Sequence, residues 1–197
     1  MKFQKVLAVI LSLAFATIAW RAQATVIDFG GLPGPNGTAY TGHVEDGFTV
    51  TPNDGDWHQG LVYGAPTPSI FGGPVPQPVF GSITVTGGIF RFISVDLSSN
   101  SATGTRATVI GYMNGITQFG YDFTITTANQ FVTLVNPGPF MVDIDELYIA
   151  MMPDTGVSSY NIDNIVLRSV RAVPAPAALG LIILGLAGVG FTRRRLA

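Results

Sequence analysis

The sequence holds 197 residues, 47% of them hydrophobic, with a formal charge of −2 and no cysteine, and its mean hydropathy is +0.41. The lack of cysteine excludes disulfides and thiol chemistry, so stability has to come from an apolar core. Seven of the ten basic residues lie in the terminal segments, whereas residues 25–170 carry twelve acids against Arg91, Arg106 and Arg168, a formal charge of −9 without a single lysine, which disfavours nucleic acid and anionic lipid as partners and suits divalent cations.

The N-terminus opens with Lys2 and Lys5, followed by an apolar run from Val6 to Trp20 and the small-x-small sequence Ala22-Gln23-Ala24. Positive start, apolar middle and small residues describe a signal peptide cleaved by signal peptidase after Ala24. An uncleaved anchor is the competing reading, but the run is shorter than the ~20 residues that span a bilayer. Residues 25–170 remain, a length suited to one domain.

Within that segment short Val/Ile/Phe/Thr/Tyr runs alternate with Gly, Pro, Asn and Asp clusters, and no stretch keeps a helical period. Strands are expected at Thr25–Phe29 and Gly47–Thr51. The region from Pro52 to Pro78 then holds Pro52, Pro66, Pro68, Pro74, Pro76 and Pro78 and is expected to be a long loop without central ladder strands, since proline donates no backbone hydrogen bond. Further strands are expected at Ser82–Thr86, Ile89–Leu97, Ala107–Tyr112, Phe119–Thr126, Gln130–Val135, Val142–Ala150 and Ile162–Val170. In Phe119–Thr126 the alternation puts Phe119, Tyr121, Phe123 and Ile125 on one face. Turns fall at Met113-Asn114-Gly115 and Asn136-Pro137-Gly138. The pattern predicts an all-β, antiparallel two-sheet sandwich, jelly-roll-like, flanked by the signal peptide and a C-terminal hydrophobic helix.

Candidate sites follow from residue types. The loop "NDGDWHQG" (Asn53–Gly60) sets Asp54, Asp56 and His58 at alternate positions, but without the later glutamate of an EF-hand, and a polar turn is the favoured reading. Trp57, His58 and Tyr63 are candidates for an aromatic platform under a sugar ring, because aromatic faces combine apolar area with polar edges; a packing anchor is the other reading of Trp57. Asp143 and Asp145 fall on one face of a strand beside Glu146, where an acid/base pair of a glycan-active hydrolase or lyase is conceivable, though a solvated strand face accounts for them as well. No Gly-x-Ser-x-Gly elbow or His-Glu-x-x-His pattern occurs. Asn36-Gly37-Thr38 matches a glycosylation sequon.

At the C-terminus, Val173-Pro174-Ala175-Pro176 precedes a 15-residue uncharged apolar run, Ala177–Phe191, and then Arg193, Arg194 and Arg195. The run is short for a span, though Thr192 and snorkelling arginines extend its reach over 177–192. The arginines would stay on the cytoplasmic side and leave the acidic domain outside, the topology that the signal peptide also implies.

This tail (171–197) resembles the PEP-CTERM sorting signal of Gram-negative bacteria, with Ala175 where the family usually has glutamate. The resemblance implies recognition by an exosortase, cleavage near the proline motif and transfer from an inner-membrane intermediate to the cell surface or extracellular matrix, in strains that typically make exopolysaccharide. A plain C-terminal membrane anchor is the alternative. Two further stretches, "TVIDFGGL" around Asp28 and "YNIDNIVL" around Asp163 and Asn164, resemble galactose-binding-like jelly-roll domains. That resemblance implies adjacent first and last strands and a structural Ca²⁺ with Asp28 and Asp163 as ligands; the alternative is that Asp163 and Asn164 cap a turn before the final strand. Together these features predict an exported, non-enzymatic structural or binding protein of the cell surface or biofilm matrix. The alternatives are a secreted carbohydrate-binding module for exopolysaccharide and, third, a glycan-active enzyme.

Overall fold

Two glycines decide how the chain closes on itself. In a computed structural model, residues 24–64, 66–73, 80–100, 104–138, 141–154 and 159–170 are described. The expected strands Ser82–Thr86 and Ile89–Leu97 form one continuous strand, β6 (Gly81–Ser99), bent at Gly87 and Gly88. Gly88 has φ +76°, and a Cβ on Gly87 would lie 2.6 Å from the Phe48 ring, so the bend needs left-handed backbone at one position and no side chain at the other. The pattern in between, apolar on both faces, belongs to a strand that changes sheets.

Around the first half of β6 the ladders run β2 (His43–Glu45), β3 (Phe48–Asp54), β6, β10 (Ile144–Pro153), β7 (Thr105–Met113) and β8 (Ile116–Ile125). Around its second half they run β4 (Trp57–Gly60), β5 (Ser69–Gly72), β11 (Tyr160–Ser169), β6 and β9 (Gln130–Val135), with β1 (Ala24–Ile27) beside β11. Every ladder is antiparallel. The two layers fold over one core in which Phe92 stacks on Phe119 of the opposite layer, 6.4 Å between ring centroids, and Phe48 meets Phe90 edge-on at 5.3 Å. The fold is an antiparallel β-sandwich, as the strand pattern predicts.

Local chemistry accounts for the hairpins. Asp46-Gly47 and Asn114-Gly115 all have positive φ, the two-residue turn that matches the twist of paired strands. In β8, Phe119 and Ile125 are buried and Tyr121 and Phe123 half-buried, while the residues between them are exposed. Burial holds the Tyr121 and Tyr160 phenols above their ordinary pKa. Tyr40 is raised by burial and then by the Glu45 charge.

The proline-rich region departs from expectation. Pro52 lies within β3, and residues 57–60 and 69–72 form a hairpin, β4–β5, whose inner strand also pairs with β11. Pro52 stands opposite Ile83 beside a bulge in the β3–β6 ladder, and Pro66 and Pro68 fall in the β4–β5 connection outside the paired registers, so they do not forbid the β4–β5 ladder. Residues 37–40 extend this layer: the Tyr40 and Gln59 N–H groups donate to Trp57 O and Thr38 O at 2.7 and 2.8 Å.

β1 opens on Ala24, which pairs with Arg168. The expected signal peptide before it and the expected sorting tail, including Val173, Pro174, Ala175, Pro176 and the three terminal arginines, lie outside the described residues, as does Ala22.

Candidate functional site

Alternation along β4 and β5 separates two faces. Trp57 shares a register row with Gly72 and Tyr160 and points into the core. It is 3% exposed, its Nε1 donates to Asp54 O at 2.9 Å, and its ring meets Tyr160 edge-on at 5.4 Å. Gly72 makes room for this pair, since a Cβ there would lie 2.6 Å from the Tyr160 ring. Of the three expected platform residues Trp57 is therefore a packing anchor, because period 2 sends it to the face opposite His58.

The next row faces outward. His58 pairs with Phe71, Phe71 with Asn161, Asn161 with Ser98 and Ser98 with Phe131, so five strands contribute one cross-strand line. His58 stacks on Phe71 with 5.4 Å between centroids and 26° between planes. Tyr63, on the connection after β4, folds back over the same face: its ring stacks on Phe131 at 5.2 Å and 29°, and its hydroxyl lies 2.7 Å from Ser98 Oγ.

Between these aromatic pairs lies a cleft of about 310 Å³. Phe71 and Asn161 come from the row, Gly60, Val62 and Tyr63 from β4 and its connection, and Asn36, Asn100, Asn129 and Ser159 from the loops at this end of the layer. Gly60 keeps it open, for a Cβ there would stand 3.0 Å from Ser69 Oγ and 3.4 Å from Phe71. No charged side chain lines it among the described residues. Aromatic faces beside side-chain amides suit a ligand that is itself apolar on its faces and hydroxylated at its edges.

Of the expected residues Tyr63 lines the cleft and His58 stacks on the lining residue Phe71, whereas Phe71, Asn100, Asn129 and Asn161, which also line it, were not among those expected. Period 2 links Asn161 to Asp163 within β11, yet nothing local to the chain says that Asn161 stands opposite Phe71 and Ser98. The sequon residue Asn36 uses its Oδ1 to accept the Leu61 N–H at 2.9 Å, which ties the first loop to the rim of the cleft.

The expected metal ligands sit elsewhere. β11 pairs with β5 through Tyr160–Ile162 and with β1 through Ile165–Arg168, and a bulge fills the change of partner. Asn164 takes the left-handed conformation there, φ +43°. Its N–H donates to Asp163 Oδ1 at 2.8 Å and its Nδ2 to Asp96 Oδ2 at 2.9 Å. Asp163 and Asn164 thus lie inside the final strand and not on a turn before it. The first and last strands are adjacent, which brings Asp28 to the end of the ladder that starts from this bulge. Asp163 is fully buried, whereas Asp28 is exposed and accepts the Gly30 N–H at 2.8 Å. Among the described residues no three acidic or histidine side chains converge on one point.

The acids considered for catalysis do not form a pair. A bulge between Ile144 and Glu146 interrupts the alternation that would set Asp143 beside Asp145. Asp143 accepts from Arg91 Nε at 2.7 Å, while Asp145 accepts the Asn114 N–H of the β7–β8 turn at 3.0 Å. Glu146 pairs across to Thr86 and Tyr112 in the ladder.

No family model matches the chain, and no curated protein matches it. Solved structures similar to it include a point mutant of CBM29-2, a family 29 carbohydrate binding module, with TM-score 0.46 and 17% identity over 75% of this chain and 92% of that chain. A DUF4465 family protein from Bacteroides caccae has TM-score 0.45 and 9% identity over 74% and 98% of the two chains. A family 11 carbohydrate-binding module from Clostridium thermocellum, in complex with a mixed-linked tetrasaccharide, has TM-score 0.40 and 12% identity over 70% and 97%.

Proposed function

We propose that this chain is an exported, non-catalytic polysaccharide-binding protein, routed to the cell surface or extracellular matrix by its C-terminal tail, where it holds exopolysaccharide in the cleft on the outer face of β4, β5, β11, β6 and β9. The observation that carries the binding role is the row from His58 to Phe131: two stacked aromatic pairs flank amide and hydroxyl side chains over an open cleft. Support for a binding role over catalysis comes from Asp143 and Asp145, each held by a separate partner.

The routing rests on the two ends of the sequence, which imply one topology: signal peptidase acts at the first, and an exosortase recognises the Val173–Pro176 motif, the apolar run and the arginines of the second. Binding is tested by affinity electrophoresis of the exported protein through gels containing the exopolysaccharide of the producing cells. Retardation by the native protein that is lost in Phe71→Ala is the expected result; equal mobility with and without polysaccharide sinks the reading. Intact-mass analysis of the exported protein tests the routing, with a chain ending near Pro176 expected and a retained full-length tail counting against it.

A further inference from the structure

The polar wall of the cleft has a direction. The Tyr63 carbonyl can only accept, so Ser69 Oγ, 2.5 Å away, donates to it. Ser69 Oγ then has its acceptor side free and takes a hydrogen bond from Asn161 Nδ2 at 3.1 Å. That orients the Asn161 amide, whose Oδ1 accepts from Asn100 Nδ2 at 2.9 Å; the same Asn100 Nδ2 donates to Ser159 Oγ at 2.6 Å. Each amide is fixed by the one before it, back to a backbone carbonyl that cannot be reversed.

The relay ends on Asn100 Oδ1, an enclosed acceptor with no hydrogen-bond partner. An enclosed acceptor left unmatched is costly, and a donated O–H or N–H, from a ligand or from water, relieves that cost. A carboxylate, sulfate or phosphate brings a further acceptor and a negative charge, with no cationic side chain among the described lining residues and a segment of formal charge −9 around it.

We infer that the cleft selects an uncharged, hydroxyl-rich glycan segment and rejects acidic polysaccharides, because the Ser69–Asn161–Asn100 relay presents it with an acceptor. This rests on the polysaccharide-binding reading above and adds the substrate class. Ser69 is a positioning residue that acts through the two amides.

The test titrates the exported protein by calorimetry against a neutral set (β-1,4-glucan, β-1,3-glucan, galactomannan, xylan) and an acidic set (polygalacturonate, alginate, hyaluronate). Binding confined to neutral members is expected. Equal affinity for acidic members overturns the selection and leaves the polysaccharide role standing, whereas no binding to any member, or to the producing cells' own exopolysaccharide, removes both. Ser69→Ala releases the relay, so a folded variant should lose about tenfold in neutral affinity and discriminate less against acidic chains; an unchanged ratio overturns the relay. If Ser69→Ala does not fold, Asn100→Ala, at the half-buried end, removes the acceptor directly, and unchanged neutral binding then overturns it.

Discussion

Replacing Trp57 and, separately, Phe71 by alanine should divide stability from binding, because the two rings occupy adjacent register rows of the β4–β5 hairpin and point to opposite faces. Trp57 is 3% exposed and packs edge-on against Tyr160. Truncating a buried aromatic of this size costs about 3–5 kcal/mol, a large part of the roughly 5–15 kcal/mol by which domains are stable. At about 4 °C per kcal/mol, the melting temperature should fall by about 10–20 °C. Phe71 is half-buried on the outer face and loses mainly its stack with His58, about 0.5–1.5 kcal/mol, so the same melt should drop by about 2–6 °C. Its polysaccharide affinity should nevertheless fall at least about tenfold, equivalent to ~1.4 kcal/mol of binding energy. Circular dichroism melts and calorimetric titration of both variants provide the assay. A Trp57→Ala protein that melts within about 2 °C of the native one yet no longer binds would refute the assignment of faces.

Alkali should unfold the domain. The Tyr40, Tyr121 and Tyr160 phenols have folded-state pKa values raised above the ordinary 10.0, so their contribution is complete below pH 10 and is lost as pH climbs past it toward the raised values; ultraviolet titration should show three of the six tyrosines ionising only as the circular dichroism signal is lost. Gly88→Ala meets nothing within 4 Å, so its cost isolates the left-handed backbone of the β6 bend, about 1–2 kcal/mol by denaturant melts, against less than about 0.5 kcal/mol for Gly138→Ala. The Arg91–Asp143 pair leaves both side chains 40% exposed, and a double-mutant cycle should give a coupling below about 1 kcal/mol that shrinks in salt. Millimolar calcium tests Asp28 and Asp163 as a cation pair: both already accept backbone N–H groups, and the melting temperature should move by less than about 1 °C, whereas a rise of several degrees that Asp163→Asn abolishes would establish a structural site.

Period and turn chemistry are local properties, and what depends on them alone was readable from the chain. The alternation of Phe119, Tyr121, Phe123 and Ile125, the Asn114-Gly115 turn and the antiparallel β class needed no knowledge of distant residues. Local signals misled where partners decide. Gly87-Gly88 reads as a break between two strands, but it bends one, because both halves of β6 have neighbours to pair with on either side. Pro66 and Pro68 read as part of a loop, but they fall in the connection between β4 and β5, whose ladder is set by β11, and leave its hydrogen bonds intact.

The expectations for both ends come from the sequence by itself, since a signal-peptide pattern and a proline–apolar–arginine pattern are linear and are read without a fold. Which aromatic residues lie on the outer face beside the cleft was decided only by the tertiary structure. Residues 36, 60, 62, 63, 71, 100, 129, 159 and 161 meet in one cleft because five strands align in register, and register arises from contacts between segments far apart in the chain, such as Phe71 and Asn161. The same alignment sent Trp57, the most conspicuous candidate in the sequence, into the core, and placed Asn100 at the end of a relay that begins at Tyr63.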